Sequence, residues 1–197
     1  MGEINYDQFS QTYDLSRKEN TKTVNDLVRF TYIDQNSLLL DLGCGTGNYT
    51  NALKQFVKNV IGLDLSLGMI KKARDKFPNL HYTNANVMNL PFRKNIFSGL
   101  YLIQVIHHIK DKFILLKEAH RVLWKKGNIA IHTCSQDQIY TYWYTHYFPE
   151  GLKAELKRFL TIEELKLLLK KSGFTNIGVK ICYFDTVTGN LSPEKYL

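Results

Sequence analysis

The stretch that decides the fold is Leu38-Leu39-Leu40-Asp41-Leu42-Gly43-Cys44-Gly45-Thr46-Gly47-Asn48. Its first five residues are apolar except for one acid, which is typical of a parallel strand buried on both faces. The alternate glycines predict a turn whose backbone a ligand can approach closely, because no Cβ stands in the way. Apolar residues at helical spacing from Asn48 onward predict that this turn opens a helix. Strand, glycine turn and helix together indicate the nucleotide-binding start of a doubly wound α/β fold.

The spacing of the glycines limits which kind of nucleotide the loop is expected to bind. A dinucleotide fingerprint is G-x-G-x-x-G, and after glycines at 43 and 45 its third glycine would stand at position 48, which is Asn48. The third glycine is Gly47 instead, and the tighter loop is a poorer cradle for a pyrophosphate at a helix N-terminus. This argues against a nicotinamide-dependent oxidoreductase. That class, and a catalytically silent nucleotide-binding subunit, stay open as alternatives.

A second short apolar run, from Val60 to Leu63, ends in Asp64. A carboxylate at the carboxyl end of such a strand can accept hydrogen bonds from the ribose hydroxyls of a nucleoside. The alternative is that Asp64 caps the following helix, but Ser66 is available for that role. We therefore expect Asp64 to bind a ribose.

The G-x-G-x-G turn with Asp41 just before it resembles the first motif of class I S-adenosylmethionine (SAM)-dependent methyltransferases. The likeness to the type-11 group of that class covers about residues 4 to 184. It implies a Rossmann-like, doubly wound, mostly parallel sheet with helices on both faces, in one domain over residues 1–197. It also implies a SAM-dependent methyltransferase whose cofactor contacts include Asp41, Gly43, Gly45, Gly47 and Asp64.

The resemblance also assigns residues to the two ends of the cofactor. Residues 1–33 would form helices that cover it, with Tyr13 and Arg17 at the methionine end; docking of the N-terminal tyrosines on the domain is the competing interpretation. Family members often have an acid at the position of Asn86, and its amide oxygen can still accept a hydrogen bond from the adenine amino group. The remaining assigned contacts are Leu65, Met69, Val87 and Gln104, of which Met69 could equally fill the core.

Two histidines follow the predicted fourth strand, in the run Gln104-Val105-Ile106-His107-His108. The carboxyl end of that strand borders the crevice where such sheets bind ligands. Either His107 or His108 could act as a general base near neutral pH, or both could orient loops by hydrogen bonding. Methyl transfer from a sulfonium depends largely on positioning, so a base is not obligatory.

Residues 135–160 correspond to the lid that selects the methyl acceptor in the resembled family. Four aromatic residues there share one helical face in the sequence pattern: Tyr140, Trp143, Tyr144 and Tyr147. Such a face suits a flat, ring-bearing small molecule, could stack a nucleobase, or could be buried in a homodimer. The acceptor therefore stays open between a small molecule and tRNA or another macromolecule.

Length, composition and charge limit the classes of protein to which this chain could belong. A chain of 197 residues suits one domain, and no apolar run approaches the ~20 residues of a membrane span. The three cysteines are widely spaced, which indicates neither a disulfide framework nor a metal site and fits the cytoplasm. The net charge of +8 suits anionic partners, but no basic run exceeds two residues and no RNA-binding motif is present. A small-molecule acceptor is therefore favoured.

Six strands are predicted, over Leu38–Leu42, Val60–Asp64, Leu80–Asn84, Ile96–Ile103, Ile129–Thr133 and Thr175–Tyr183. The resembled fold adds a seventh, antiparallel strand beside the sixth. Only residues 184–197 remain for it, and Ser192-Pro193 predicts a helix start there. We therefore expect the sheet to lack its seventh strand, because the coding frame stops early, and to leave an uncovered edge that can pair with another chain.

Overall fold

The computed structural model describes residue 14, residues 20–142, residue 145 and residues 147–181. The helices are α1 (Thr21–Thr31), α2 (Asn48–Leu53), α3 (Leu67–Lys76), α4 (Lys112–Val122), α5 (Gln136–Tyr140), α6 (Pro149–Arg158) and α7 (Ile162–Ser172), with a 3₁₀ turn at Ile106–His108. The strands are β1 (Leu38–Leu42), β2 (Asn59–Asp64), β3 (His81–Asn84), β4 (Phe97–Ile103) and β5 (Leu123–His132). No helix in these ranges is long and apolar enough to cross a membrane.

The five strands form one parallel sheet in the order β3-β2-β1-β4-β5. The middle strand is β1, and its residues Leu39, Leu40 and Leu42 are fully buried. The chain moves outward from β1 to β3 on one side and from β4 to β5 on the other. The switch point where such sheets bind ligands therefore lies between β1 and β4, and the predicted doubly wound fold is confirmed.

Helices cover both faces of the sheet. On one face Leu115 of α4 packs in a cluster with Leu40, and on the other Val24 of α1 packs in a cluster with Leu39. Successive residues of a strand point to opposite faces, so the two leucines of β1 each anchor a different helical layer.

The predicted sixth strand is wrong for the part of it that the structure describes. Residues 175–181 form no strand, and Val179 and Ile181 are 53% and 63% exposed. The segment lies beside α1, where Lys180 Nζ is 2.8 Å from Asp26 Oδ1 and 4.9 Å from the ring centroid of Phe30. The segment therefore packs beside α1 and not in the sheet, although its alternating apolar residues favour a strand.

Within the described residues, β5 is paired on one side only. Residues 184–197, which remain for a seventh strand, lie outside the described residues. The absence of that strand and the pairing of an open edge with another chain therefore remain predictions.

The prediction that four aromatic residues share one helical face is also wrong for Tyr140 and Tyr147, the two of them that the structure describes. Helix α5 ends at Tyr140 because the Thr141 hydroxyl and N–H both turn back to Gln138 O. Helix α6 begins at Pro149, a favoured first helical residue, so Tyr140 and Tyr147 lie on different segments. Trp143 and Tyr144 lie outside the described residues.

Strand β5 begins earlier than predicted. Leu123 already pairs with Phe97, and after a shift in register Asn128 pairs with Gly99. Helix α4 consequently ends at Val122.

Candidate functional site

The glycine loop between β1 and α2 is fixed by the neighbouring strand. The N–H groups of Gly43 and Cys44 both donate to Leu63 O of β2, at 2.7 and 3.0 Å. Gly43, Gly45 and Gly47 have φ values of +75°, +55° and +83°, a region that residues with a Cβ rarely adopt. The three glycines predicted to contact the cofactor are therefore required by the backbone of the loop itself.

Two bulky side chains press on this loop from within the protein. A Cβ added at Gly43 would lie 2.5 Å from Val105 Cγ2, and one at Gly47 would lie 2.5 Å from Tyr82 Oη. The contact with Val105 also places the segment that carries the two histidines directly against the glycine loop.

Asp64, the predicted ribose ligand, links the glycine loop to the start of α3 by hydrogen bonds. Its Oδ2 accepts from the Gly45 N–H and its Oδ1 from the Ser66 N–H, both at 2.9 Å. The side chain of Ser66 caps α3 by accepting from the Met69 N–H, which confirms that Asp64 is not the cap. The following residue, Leu65, is 68% exposed, whereas Met69 is only 1% exposed and fills the core.

The segment after β3 is hydrogen-bonded to Asp64, at the carboxyl end of β2. The Ala85 N–H and the Asn84 side chain both donate to Asp64 O, at 3.0 Å. Asn86 Oδ1, predicted to accept from adenine, already accepts from the Met88 N–H at 2.9 Å, and Val87 is buried. The loops after β2 and β3 therefore stand side by side at the carboxyl edge of the sheet.

Asp41 lies beneath the glycine loop and is 1% exposed. Its Oδ2 accepts from Thr50 Oγ1 at 2.7 Å, which fastens β1 to α2. Burial raises the pKa of Asp41 to about 7, and the charge of Asp64 adds to this effect. The described contact is structural, and direct contact between Asp41 and the cofactor remains a prediction.

The residues after β4 have an unusual backbone and close aromatic contacts. Gln104 has a φ of +58°, and its N–H donates to His132 O at 2.8 Å. The rings of His107 and Phe159 stack with centroids 4.2 Å apart, and His108 Nδ1 lies 2.8 Å from Arg158 Nη2. Both predicted catalytic histidines therefore contact the end of α6.

One network at the site escaped the sequence analysis. The Asp14 carboxylate accepts from Thr46 Oγ1 at 2.5 Å, from Asn48 Nδ2 at 3.2 Å and from Lys76 Nζ at 2.8 Å. Partial burial acts to raise the pKa of Asp14, but these hydrogen bonds hold it below its usual value. The signal in the sequence is a repeat of tyrosine followed by aspartate, at Tyr6-Asp7 and Tyr13-Asp14, whose second acid is Asp14. Tyr13 and Arg17 lie outside the described residues.

Comparison with known proteins gives the same assignment as this geometry. A family model described as a methyltransferase domain matches residues 40–131, which include the glycine loop, Asp64 and both histidines. This match and the similar proteins below support a class I SAM-dependent methyltransferase. Its sequence is 25% identical over 221 aligned positions to the demethylmenaquinone methyltransferase of Anoxybacillus flavithermus, covering 96% of this chain and 93% of that protein.

Solved structures show the same fold around this methyltransferase domain. A SAM-dependent methyltransferase from Thermotoga maritima superposes with a TM-score of 0.66 at 22% identity, over 86% of this chain and 80% of that one. A phosphoethanolamine N-methyltransferase from Haemonchus contortus, solved with S-adenosylhomocysteine, gives 0.65 at 22% identity, over 85% of this chain and 41% of that one. The family is SAM-dependent in general, and the resemblance stated from the sequence is confirmed.

The buried carboxyl group of Asp41 should make the free energy of unfolding depend on pH. Between about pH 4 and pH 7 the folded state holds a proton on Asp41 that the unfolded state has lost. This group therefore lowers the free energy of unfolding by up to ~1.4 kcal/mol per unit of rising pH. Asp41→Asn keeps an oxygen for Thr50 and removes this dependence. We expect the variant to be more stable than the wild type at pH 8, with the difference shrinking towards pH 5, in urea unfolding.

Asp75→Asn, an exposed carboxylate on α3, is the matched control and should run parallel to the wild type. Parallel curves for Asp41→Asn as well would show that Asp41 is ionised in the folded protein at all these pH values.

We expect the Asp14 network to slow the dissociation of a bound cofactor. The side chains of Lys76 and Asp14 are 32% and 34% exposed, so their ion pair adds little to global stability. It does hold the residue next to Tyr13 on the glycine loop. We expect Lys76→Met to speed SAM dissociation roughly threefold to tenfold with little change in melting temperature, measured by stopped-flow displacement.

The control is Lys71→Met, an exposed lysine of the same helix, which should leave dissociation unchanged. Equal rates for the two variants would remove any role for the Asp14 network in holding the cofactor.

Proposed function

We propose that this methyltransferase binds SAM at the carboxyl ends of β1, β2 and β4 and transfers its methyl group to a small, ring-bearing acceptor. The observation that carries the proposal is the Asp64 carboxylate, which accepts from both the glycine loop and the start of α3. An ionised carboxylate has about four lone-pair positions, so one side chain can organise the loop and also receive ribose hydroxyls.

The residues present fit the chemistry of SAM. Left-handed glycines present the loop backbone without a Cβ, which lets a ligand approach it closely. Leu65 offers an exposed apolar surface next to Asp64, as an adenine ring requires. The residues that would hold the cofactor are Tyr13, Arg17, Asp41, Gly43, Gly45, Gly47, Asp64, Leu65, Met69, Asn86, Val87 and Gln104.

Bound SAM would supply a methyl group activated by a positively charged sulfur. The acceptor must then present an electron pair in line with that methyl group, and the gain from holding it there is positional. The assignment of residues 135–160 to this role is supported by Phe159 and Arg158, which contact the two histidines that follow β4.

The relatives guide the choice of acceptor. They are named as demethylmenaquinone methyltransferases, which indicates a fused aromatic ring as the first acceptor to test. A quinone is itself electron-poor, so the reduced hydroquinone is the form that can attack an activated methyl group. Cys44 and Cys134 are buried free thiols, which supports a reducing compartment such as the cytoplasm.

The proposal is tested by ligand-dependent melting followed by methyl transfer. SAM and S-adenosylhomocysteine at ~100 times their dissociation constants should each stabilise the fold by about 2.7 kcal/mol, and NAD should not. Radiolabelled SAM should then label a reduced naphthoquinone more than bulk tRNA. Stabilisation by NAD but not by SAM would refute SAM binding, and labelling of tRNA alone would replace the acceptor class.

Asp64 gives a sharper test of the ribose contact. Asp64→Asn also disturbs the loop, because the Gly45 and Ser66 N–H groups donate to different oxygens and an amide keeps only one of them as an acceptor. We therefore compare adenosine with 2′,3′-dideoxyadenosine in the wild type and in Asp64→Asn. A contact to the hydroxyls predicts that the wild type prefers adenosine by about tenfold or more and that the variant loses this preference, measured by calorimetry. A preference that survives in the variant would assign the ribose to another residue.

A further inference from the structure

The segments that lead into the five strands lie together at the amino edge of the sheet, opposite the proposed SAM site. All five strands are parallel, so their amino ends share one edge. These amino-edge segments are residues 32–37, 54–58, 77–80, 91–96 and, at the start of β5, 124–127. Hydrogen bonds connect neighbouring segments: the Lys58 N–H donates to Gln35 O at 3.0 Å, and the Ile96 N–H donates to Val122 O at 2.8 Å. The seven residues of β4 put the two edges roughly 20 Å apart, at ~3.3 Å per residue.

Six basic residues from three distant parts of the sequence meet at this amino edge. Each of three segments supplies two of them: Lys54, Lys58, Arg93, Lys94, Lys125 and Lys126. All six are exposed, and none forms an ion pair within the described residues. The amino-edge segments contain one acid, Asp34, whose Oδ1 accepts from the Asn36 N–H and the Ser37 hydroxyl. The edge is therefore a cationic surface, although no basic run in the sequence exceeds two residues.

A large bulge in β5 presents Trp124 to solvent. After pairing at Leu123, β5 regains its register only at Asn128, so four residues, 124–127, stand opposite one residue of β4. Bulges at sheet edges redirect side chains, and Trp124 is 57% exposed. The chain returns to the sheet at Gly127, where a Cβ would lie 3.0 Å from two carbonyl oxygens of β4. The shape of the bulge therefore suits a glycine at that position.

Trp124 and Tyr32 line the same open groove. The groove has a volume of about 270 Å³, and Asn36 and Asn128 are among its polar residues. Tyr32 is 90% exposed and ends α1 with a φ of +49°, where glycine or asparagine is the usual residue. Apart from Ile33, every residue that lines the groove is polar or aromatic. Such a groove suits a flat ring with polar edges better than a lipid chain.

We propose that the amino edge of the sheet docks a single strand of nucleic acid. Surfaces that bind such strands combine aromatic side chains, on which unpaired bases stack, with positive charge along the phosphates. Trp124 and Tyr32 supply the stacking faces, and the amides of Asn36 and Asn128 supply donors and acceptors for the edges of a base. The cationic residues extend from β2 to β5, which is three strand spacings or ~14 Å. This span exceeds the rise of one nucleotide, ~3.4 Å, and serves several phosphates.

An unpaired strand fits this surface better than other anionic partners do. A duplex stacks its bases on one another, so their faces are closed to Trp124 and Tyr32. A bilayer presents acyl chains for which the polar groove has no apolar walls, and a mononucleotide engages only a few of the cations. The inference goes beyond the proposed function and does not depend on it, because the two edges are tested by separate measurements.

Binding is measured on the full chain by fluorescence anisotropy, with a labelled ten-nucleotide RNA that cannot pair with itself. We expect the logarithm of the association constant to fall with the logarithm of the salt concentration with a slope of about −2 or steeper, since each phosphate contact contributes roughly −0.7. In Trp143→Phe the remaining tryptophan is Trp124, and RNA should quench its fluorescence. The proposal is overturned by absent RNA binding at ~50 mM salt, by equal affinity for AMP, or by binding to phosphatidylglycerol vesicles and not to RNA.

The cationic surface is tested by replacing Lys125 and Lys126 together with methionine. We expect roughly tenfold weaker RNA binding and a salt slope shallower by about 1.4, because two phosphate contacts are removed. The matched control replaces Lys110 and Lys157 with methionine. Both are exposed lysines near the histidines of the opposite edge, and this variant should bind RNA as the wild type does. A loss of affinity in the control variant alone would assign the RNA to the methyl-transfer edge and overturn the proposal.

The stacking faces are tested at Tyr32 and Trp124. Tyr32→Asn keeps a residue that tolerates a left-handed backbone and removes the ring, so the melting temperature should not fall while RNA binding weakens several-fold. Trp124→Leu should weaken binding roughly tenfold, and Trp124→Phe should recover most of the affinity because an aromatic face returns. Trp124→Leu and Tyr32→Asn proteins that both bind RNA as tightly as the wild type would exclude stacking in the groove and overturn the proposal.

Discussion

The Asp64 carboxylate is the interaction on which the rest of the site depends. Its two oxygens join the glycine loop to the start of α3 through backbone N–H groups, and its own carbonyl receives donors from the end of β3. Three successive loops are therefore positioned by one residue at the tip of one strand. An acid at this point gains stabilisation from each partner, because hydrogen bonds to a charged acceptor exceed those to a neutral one.

The sequence was most informative where a short local pattern has one physical explanation. The glycine turn, a buried strand with a single acid, and Ser66 as a cap each follow from a few adjacent residues, and the structure confirms them. These features could be predicted because their causes lie within one turn or one strand.

Contacts between distant positions could not be predicted in this way. Lys76 and Asp14 are 62 positions apart, and Arg158 and His108 are 50 apart; neither pair leaves a pattern in the sequence around it. The sixth strand failed for a related reason. Alternating apolar residues describe a segment able to join a sheet, but whether it does so depends on competing contacts such as that of Lys180 with Asp26.

Tyr82 has a consequence for how this sequence can change over evolutionary time. Its ring fills the space left by two glycines, since a Cβ at Gly62 would lie 2.7 Å from Tyr82 Cδ1 and 2.9 Å from Cys44 Sγ. Positions in contact do not vary independently in their effect on stability. A larger residue at position 62 is tolerable only after both Tyr82 and Cys44 have been replaced by smaller residues or have shifted, so homologous sequences should rarely show a replacement of Gly62 alone.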